Sequence, residues 1–171
     1  MSEHNKSGRK IEDVISELLD GDIKQNAMDF VTYLRDNKFT LARTSTGESW
    51  KIGYKGKGVG RILWLTKNNW NVCPYADYTK EYEDYLKREN LQEIIMNNLF
   101  FCHRCHPHSC APRGVKEEEF KGHTKKYFGI EVHTMCKHWD AFFHNPDPKT
   151  IDCIKKMIEF NKQTIISNSK G

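Results

Sequence analysis

Apolar positions recur at helical spacing near the N-terminus, alternate through the middle of the chain, and return to helical spacing at the C-terminus. Ile11, Val14, Ile15 and Leu18 fall on one helical face. "DGD" at 20–22 ends that helix and offers Asp22 as the next N-cap. Ala27, Phe30, Val31 and Leu34 make the stripe of a second helix ending near Asn37. The period then changes. "FTLART" (39–44), "SWKIGYK" (49–55), "GRILWLT" (60–66) and "WNVCPY" (70–75) are short and rich in β-branched and aromatic residues, with turn chemistry between them in "STGE", "GKGV" and "KNN". Sequential strands with short turns predict an antiparallel meander of three to four strands. Along "SWKIGYK", Trp50, Ile52 and Tyr54 share one face and Lys51 and Lys55 the other.

Helical signals resume in "TKEYEDYLKREN", with Tyr82, Tyr85 and Leu86 on one side, and in a short helix carrying Leu91, Ile94 and Ile95. A Cys/His-rich segment follows, and then a stretch from 111 to 135 with little periodicity. Asp147 as N-cap and Pro148 at the first helical position open a last helix whose apolar face is Ile151, Ile154 and Ile158. The pattern predicts an α+β fold, with helices on one face of the meander. Residues 1–99 are expected to form the sheet domain. Residues 100–171 are expected to form a metal-stapled Cys/His-rich segment and a final helix packed on that domain.

Charge changes this picture little. The chain has 171 residues, with 27 Lys and Arg against 23 Asp and Glu, a formal charge of +4. That balance does not call for nucleic acid as the partner. The N-terminus lacks the apolar run of a signal peptide, and no stretch is long and apolar enough to suggest a membrane helix. The expected compartment is cytoplasmic, where thiols stay free or bind metal.

Cysteine spacing carries the candidate chemistry. "FFCHRCHPHSCAP" (100–112) sets Cys102 and Cys105 two residues apart, a spacing that turns two thiolates toward one ion. Cys110 follows after four residues, and Cys136 lies 26 beyond it. These four make the expected ligand set of a structural zinc site. His103, His106, His108, His133 and His138 are alternatives to a cysteine at that metal. A long loop poor in apolar residues does not order itself by burial, and a thiolate-bound metal supplies the missing folding energy. The competing readings are a plain loop and a disulfide or redox role for the cysteines. Cys73, in a strand, and Cys153, in the last helix, read as buried core thiols. No carboxylate is set for catalysis at a metal: there is no HExxH or HxE arrangement.

Trp50, Tyr54, Trp64 and Trp70 lie on consecutive strands. They read either as core or as the lining of a pocket for a small apolar or cationic ligand. "YKGKGVG" (54–60) reads as a hairpin turn, since no parallel βαβ unit surrounds it. "KEEEF" (116–120) reads as solvated surface, and no nucleophile motif is present.

"SWKIGYKGKGVGRILWL" followed by "WNVCPY" resembles the central sheet of small bacterial YdhG-like proteins, α+β domains related in shape to frataxin. "CHRCHPHSC", "KKYFGIEVHTMC" and "FFHNPDPKTIDCIKKMIE" resemble a second group of bacterial proteins. That group shares a Cys-x2-Cys-x-Pro knuckle, a following cysteine, and Phe-x-Asn-Pro-Asp before a Lys-rich helix. The chain departs from the pattern in the extra histidines of the knuckle and in a longer loop at 111–123. The resemblance implies the fold and a metal site but no activity. The function expected from all this is a non-enzymatic domain that is stabilised by structural zinc and binds a small ligand or a protein partner. The alternatives are a metal-handling or thiol-redox protein and a nucleic-acid-binding zinc module.

Overall fold

A computed structural model describes residues 8–45, 48–101, 119 and 121–169. In chain order the elements are α1 (Ile11–Leu18), α2 (Gly21–Asp36), β1 (Thr40–Arg43), β2 (Trp50–Tyr54), β3 (Lys57–Thr66), β4 (Asn69–Pro74), α3 (Lys80–Arg88), α4 (Gln92–Met96), β5 (His123–Tyr127), β6 (Ile130–Met135), β7 (Phe143–His144) and α5 (Pro148–Asn168). They divide into two compact units. Unit 1 comprises residues 1–75 and 143–171, and unit 2 comprises residues 76–142.

Unit 1 is α+β. Its sheet is antiparallel in the order β1-β2-β3-β4-β7, so it has five strands where the sequence predicts three to four. The fifth, β7, is two residues long, too short to show alternation. It is fixed by side chains instead. Asn145 exchanges bonds with Trp70: its N–H donates to the Trp70 carbonyl at 2.9 Å and its Oδ1 accepts from the Trp70 N–H at 2.9 Å. His144 Nδ1 lies 3.0 Å from Asn71 Oδ1, which adds a side-chain tie across the same pair of strands.

Register assigns the faces. Trp50, Ile62, Val72 and Phe143 are paired across successive strands, and all are buried. Trp70, two positions from Val72, meets Phe30 of α2 at 6.0 Å, so this is the face that the helices cover. α1 packs on β3, α5 on β3 and β4, and α2 against both helices. Lys51 is exposed, as alternation predicts, and Lys55 is exposed in the turn that follows β2. Burying these apolar side chains stabilises the unit by about 1.5–3 kcal/mol each. α5 begins as predicted, with the Asp147 carboxylate accepting from the Thr150 N–H at 2.7 Å and Pro148 in the first turn. α2 starts at Gly21 with Asp20 as its N-cap, two residues ahead of the expected cap, and Gly21 takes a φ of +53° that glycine adopts without strain.

The hairpin between β2 and β3 is tighter than the sequence suggests. β3 begins at Lys57, leaving a two-residue turn of Lys55 (φ +46°) and Gly56 (φ +77°). Positive φ at both central residues is the type I′ pattern, which favours Asn-Gly. Lys at the first position carries a left-handed cost of about 1 kcal/mol. Against it stands a 5.9 Å approach of the Lys55 ammonium to the Tyr54 ring. We expect Lys55→Asn to raise unfolding free energy by about 0.5 kcal/mol. Denaturant titration checks this, and a destabilised variant would refute the turn assignment.

Unit 2 holds α3, α4 and an antiparallel hairpin of β5 and β6. Thr79 caps α3, accepting from the Tyr82 N–H, and Tyr82 and Leu86 are its buried face. The hairpin corrects the expectation of an aperiodic stretch from 111 to 135. Phe128 and Gly129, both with positive φ, make its two-residue turn. Burial hides it from a reading of hydrophobic pattern: along β5 and β6 only Tyr127 and Met135 are buried, so most strand positions are polar. Its apolar end packs in an aromatic cluster, with Tyr78 edge-on to Tyr127 at 4.7 Å and to Phe128 at 6.3 Å.

Candidate metal centre

Three of the four expected zinc ligands, Cys102, Cys105 and Cys110, lie outside the described residues, as do His103, His106 and His108. The fourth, Cys136, directly follows β6, is 1% exposed and is not in a disulfide. Cys73 and Cys153 sit in unit 1, buried and without a disulfide. Burial pushes the Cys153 thiol up to about 12, against a smaller opposite pull from Lys156, as suits an unreactive core thiol.

Backbone pairing brings Phe101, which directly precedes the Cys/His-rich segment, and His123, further along the chain in β5, to Met135 beside Cys136. On the entering side, Phe101 bridges Met135, the residue before Cys136. The Cys136 N–H donates to the Phe100 carbonyl at 3.1 Å, and the Phe100 N–H donates to the Asp140 carbonyl at 2.8 Å. Leu99 bridges Ala141, and the Phe142 N–H donates to the Asn98 carbonyl at 2.8 Å. The 98–101 stretch is thus clasped between Cys136 and the returning 140–142 stretch. On the leaving side, His123 of β5 pairs with the same Met135. Gly122, with φ +103°, lies so close to β6 that a Cβ there would meet the Thr134 backbone at 2.6 Å. Glycine is the residue that permits this approach.

A polar network fixes the turn after Cys136. The Lys125 ammonium lies 2.9 Å from Asp140 Oδ1, and the Tyr127 hydroxyl donates to the same oxygen at 2.5 Å. Lys125 also approaches the Lys137 and Trp139 carbonyls at 3.4 and 3.5 Å. Burial pushes the Tyr127 phenol above its ordinary range, and Asp140 and Cys136 push it the same way. Tyr127 therefore stays protonated and acts as a donor. The network ties β5 to the 137–140 turn beside Cys136.

The histidines divide. His133 is exposed, with Nδ1 2.9 Å from Thr124 Oγ1, and His138 is exposed on the turn. His123, outside the expected set, is one register position from Cys136. His123, Lys125, Tyr127 and Asp140 were missed because they belong to the hairpin and its return. The legible signal was Tyr127 and Ile130 flanking a Phe-Gly turn. Among the described residues no three His, Cys, Asp or Glu side chains converge as a metal-binding group.

The four aromatic candidates fall in different surroundings. Trp70 is wholly buried against Phe30. Tyr54 is half-buried, its ring 5.6 Å from Phe39 and 5.4 Å from the Lys162 ammonium of α5. Trp64 is 48% exposed and has φ +52°, at a register shift in β3. Trp50 is buried under the Arg43 guanidinium at 5.8 Å, and it lines a cavity of about 190 Å³ with residues of α1, α2 and β1. No helix among the described residues is long and apolar enough to cross a membrane. No family model, no curated protein and no solved structure matches the chain.

Proposed function

We propose that this chain is a non-enzymatic binding protein whose unit 2 is stapled by one structural zinc ion, held by Cys102, Cys105, Cys110 and Cys136. The observation that carries the reading is the meeting at Met135, beside Cys136, of Phe101, which directly precedes Cys102, and His123 of β5. Closing a loop of this length costs a few kcal/mol, growing only slowly with length. Backbone pairing on both sides of Met135 meets that cost, which leaves the thiolate–metal bonds to order the segment itself. A buried thiol at the closure point, with its backbone N–H tied to Phe100, supports Cys136 as the distant ligand. Zinc in this role supplies folding energy and no reaction step.

The test is elemental analysis of protein purified without chelator, together with absorption spectroscopy at the zinc edge. The expected result is about one zinc per chain in a sulfur-rich, four-coordinate shell that exchanges slowly with added metal. Metal-free protein whose cysteines all titrate freely, or are paired as disulfides, would overturn it.

A further inference from the structure

We infer that the cavity beside Trp50 in unit 1 is a binding site for a small oxyanion, the phosphate or carboxylate group of a small molecule. This deepens the ligand-binding part of the proposed function and rests on it only there, because the zinc staple belongs to the other unit. The cavity lies where the start of α1, the last turn of α2, β1 and the start of β2 meet. Among the described residues four cations line it, Arg9, Lys10, Arg35 and Arg43, together with Leu41 and Trp50, and no carboxylate does. The volume of about 190 Å³ holds roughly six water molecules, below the range of a drug-sized ligand and suited to a small anion.

Arg43 is the centre of the site. Its side chain is 13% exposed. One terminal nitrogen, Nη2, takes both oxygens of Glu48, at 2.7 and 2.8 Å. Its Cζ lies over the Trp50 ring, 5.8 Å from the centroid. Nε and Nη1 are buried and have no hydrogen-bond partner. An unsatisfied buried donor on a permanently charged group is costly, so native structures rarely leave one without a purpose. A guanidinium held over an indole, with donors left over, suits recognition of a planar or tetrahedral oxyanion by two parallel bonds. Arg35 gives its Nε to Glu12 at 2.8 Å and is otherwise half-exposed. Burial raises the Glu12 carboxyl, but its hydrogen bonds and the charges of Arg35 and Lys10 outweigh that and hold it below its ordinary value. Glu12 therefore stays ionised and holds Arg35 in position at the rim. Arg9, paired at the surface with Glu17, is the part of the wall most easily moved, because an exposed ion pair is worth little. Nε and Nη1 of Arg43 are themselves covered, so an anion reaches them only when a side chain of the wall moves.

The experiment is calorimetric titration of the full chain with inorganic phosphate and, separately, acetate, with chloride holding ionic strength constant. One saturable site per chain is expected for at least one anion, and the tighter of the two identifies the group recognised. Arg43→Gln and Arg35→Gln should each weaken binding about tenfold or more, the worth of one charge-assisted hydrogen bond. Lys57→Gln, outside the cavity, should leave it unchanged. If Arg43→Gln does not fold, as circular dichroism would report, Arg35→Gln decides the question alone. No saturable binding of either anion, or binding indifferent to Arg35 and Arg43, overturns the site. Zinc content measured on the same samples keeps the two readings apart: anion binding lost with zinc retained is failure at the cavity, and zinc absent with anion binding intact is failure of the staple.

Discussion

Cys136→Ser is expected to strip the chain of most of its zinc and to lower its melting temperature, while Cys153→Ser keeps full zinc. Serine oxygen is a poor zinc ligand at neutral pH, because the bound form must be deprotonated and soft thiolate is what the site selects. Groups that only support a ligand already cost about 10–100-fold in affinity when removed, so losing a ligand costs at least the upper figure. Zinc binding and folding are one equilibrium in such a segment, so affinity and stability should fall together. The two thiols are equally buried, each 1% exposed, which makes the comparison fair. Placing a hydroxyl where a buried thiol was costs about 1–3 kcal/mol at either position. Any stability loss shared by the two variants is that packing cost, and zinc loss confined to Cys136→Ser is ligation. Metal analysis and thermal melts of both proteins read the two effects separately. Full zinc at unchanged affinity in Cys136→Ser would reduce Cys136 to a core thiol.

The sequence revealed those elements whose burial follows a period. The helices at both ends and the outward Lys51 of β2 were legible because one face of each element is buried and the other wet, whereas β1, with no buried position, and β4, buried on both faces, were legible from β-branched and aromatic content between turns. β7 was not, because two residues carry no period and Asn145 fixes them by contacts about 75 positions distant in the chain. The β5–β6 hairpin was not, because it is held by a turn, one aromatic anchor and polar ties instead of an apolar stripe. At the candidate centre the residue types and spacings were visible and the support was not. Nothing in the spacing of Lys125, Tyr127 and Asp140 says that they meet on one oxygen. The aromatic strand residues show the limit of residue type as a guide. Four similar side chains in similar strands divide into core, rim and cavity wall, and only pairing register and neighbouring charge separate them. Trp50 differs from Trp70 in surroundings because Arg43 lies beside one and Phe30 beside the other.

Asp140→Ala is expected to cost unit 2 about 2–4 kcal/mol and to weaken zinc binding about tenfold without removing any ligand. The carboxylate accepts from both the Lys125 ammonium and the Tyr127 hydroxyl. Alanine leaves the ammonium with two carbonyls at 3.4 and 3.5 Å, too distant for strong bonds. It also leaves a buried phenol with no acceptor, and burial already holds that phenol in its protonated form. The cost stays below that of a fully buried pair because Lys125 and Asp140 keep 23% and 21% of their side chains exposed, so water recovers part of the loss. Tyr127→Phe removes only one neutral donor and should cost about 1 kcal/mol. The two variants differ in what they do to the backbone. With Asp140 gone, the turn from 137 to 139 loses the cation that gathers its carbonyls, and the clasp joining Cys136, Phe100 and Asp140 loosens. With Tyr127→Phe the Lys125–Asp140 pair remains and the clasp holds. Amide exchange should therefore rise at Phe100 and Cys136 in Asp140→Ala and stay slow in Tyr127→Phe. Chelator competition should show weaker zinc binding in the first variant only. Equal exchange and equal zinc affinity in the two would mean that the network stabilises the hairpin without positioning Cys136.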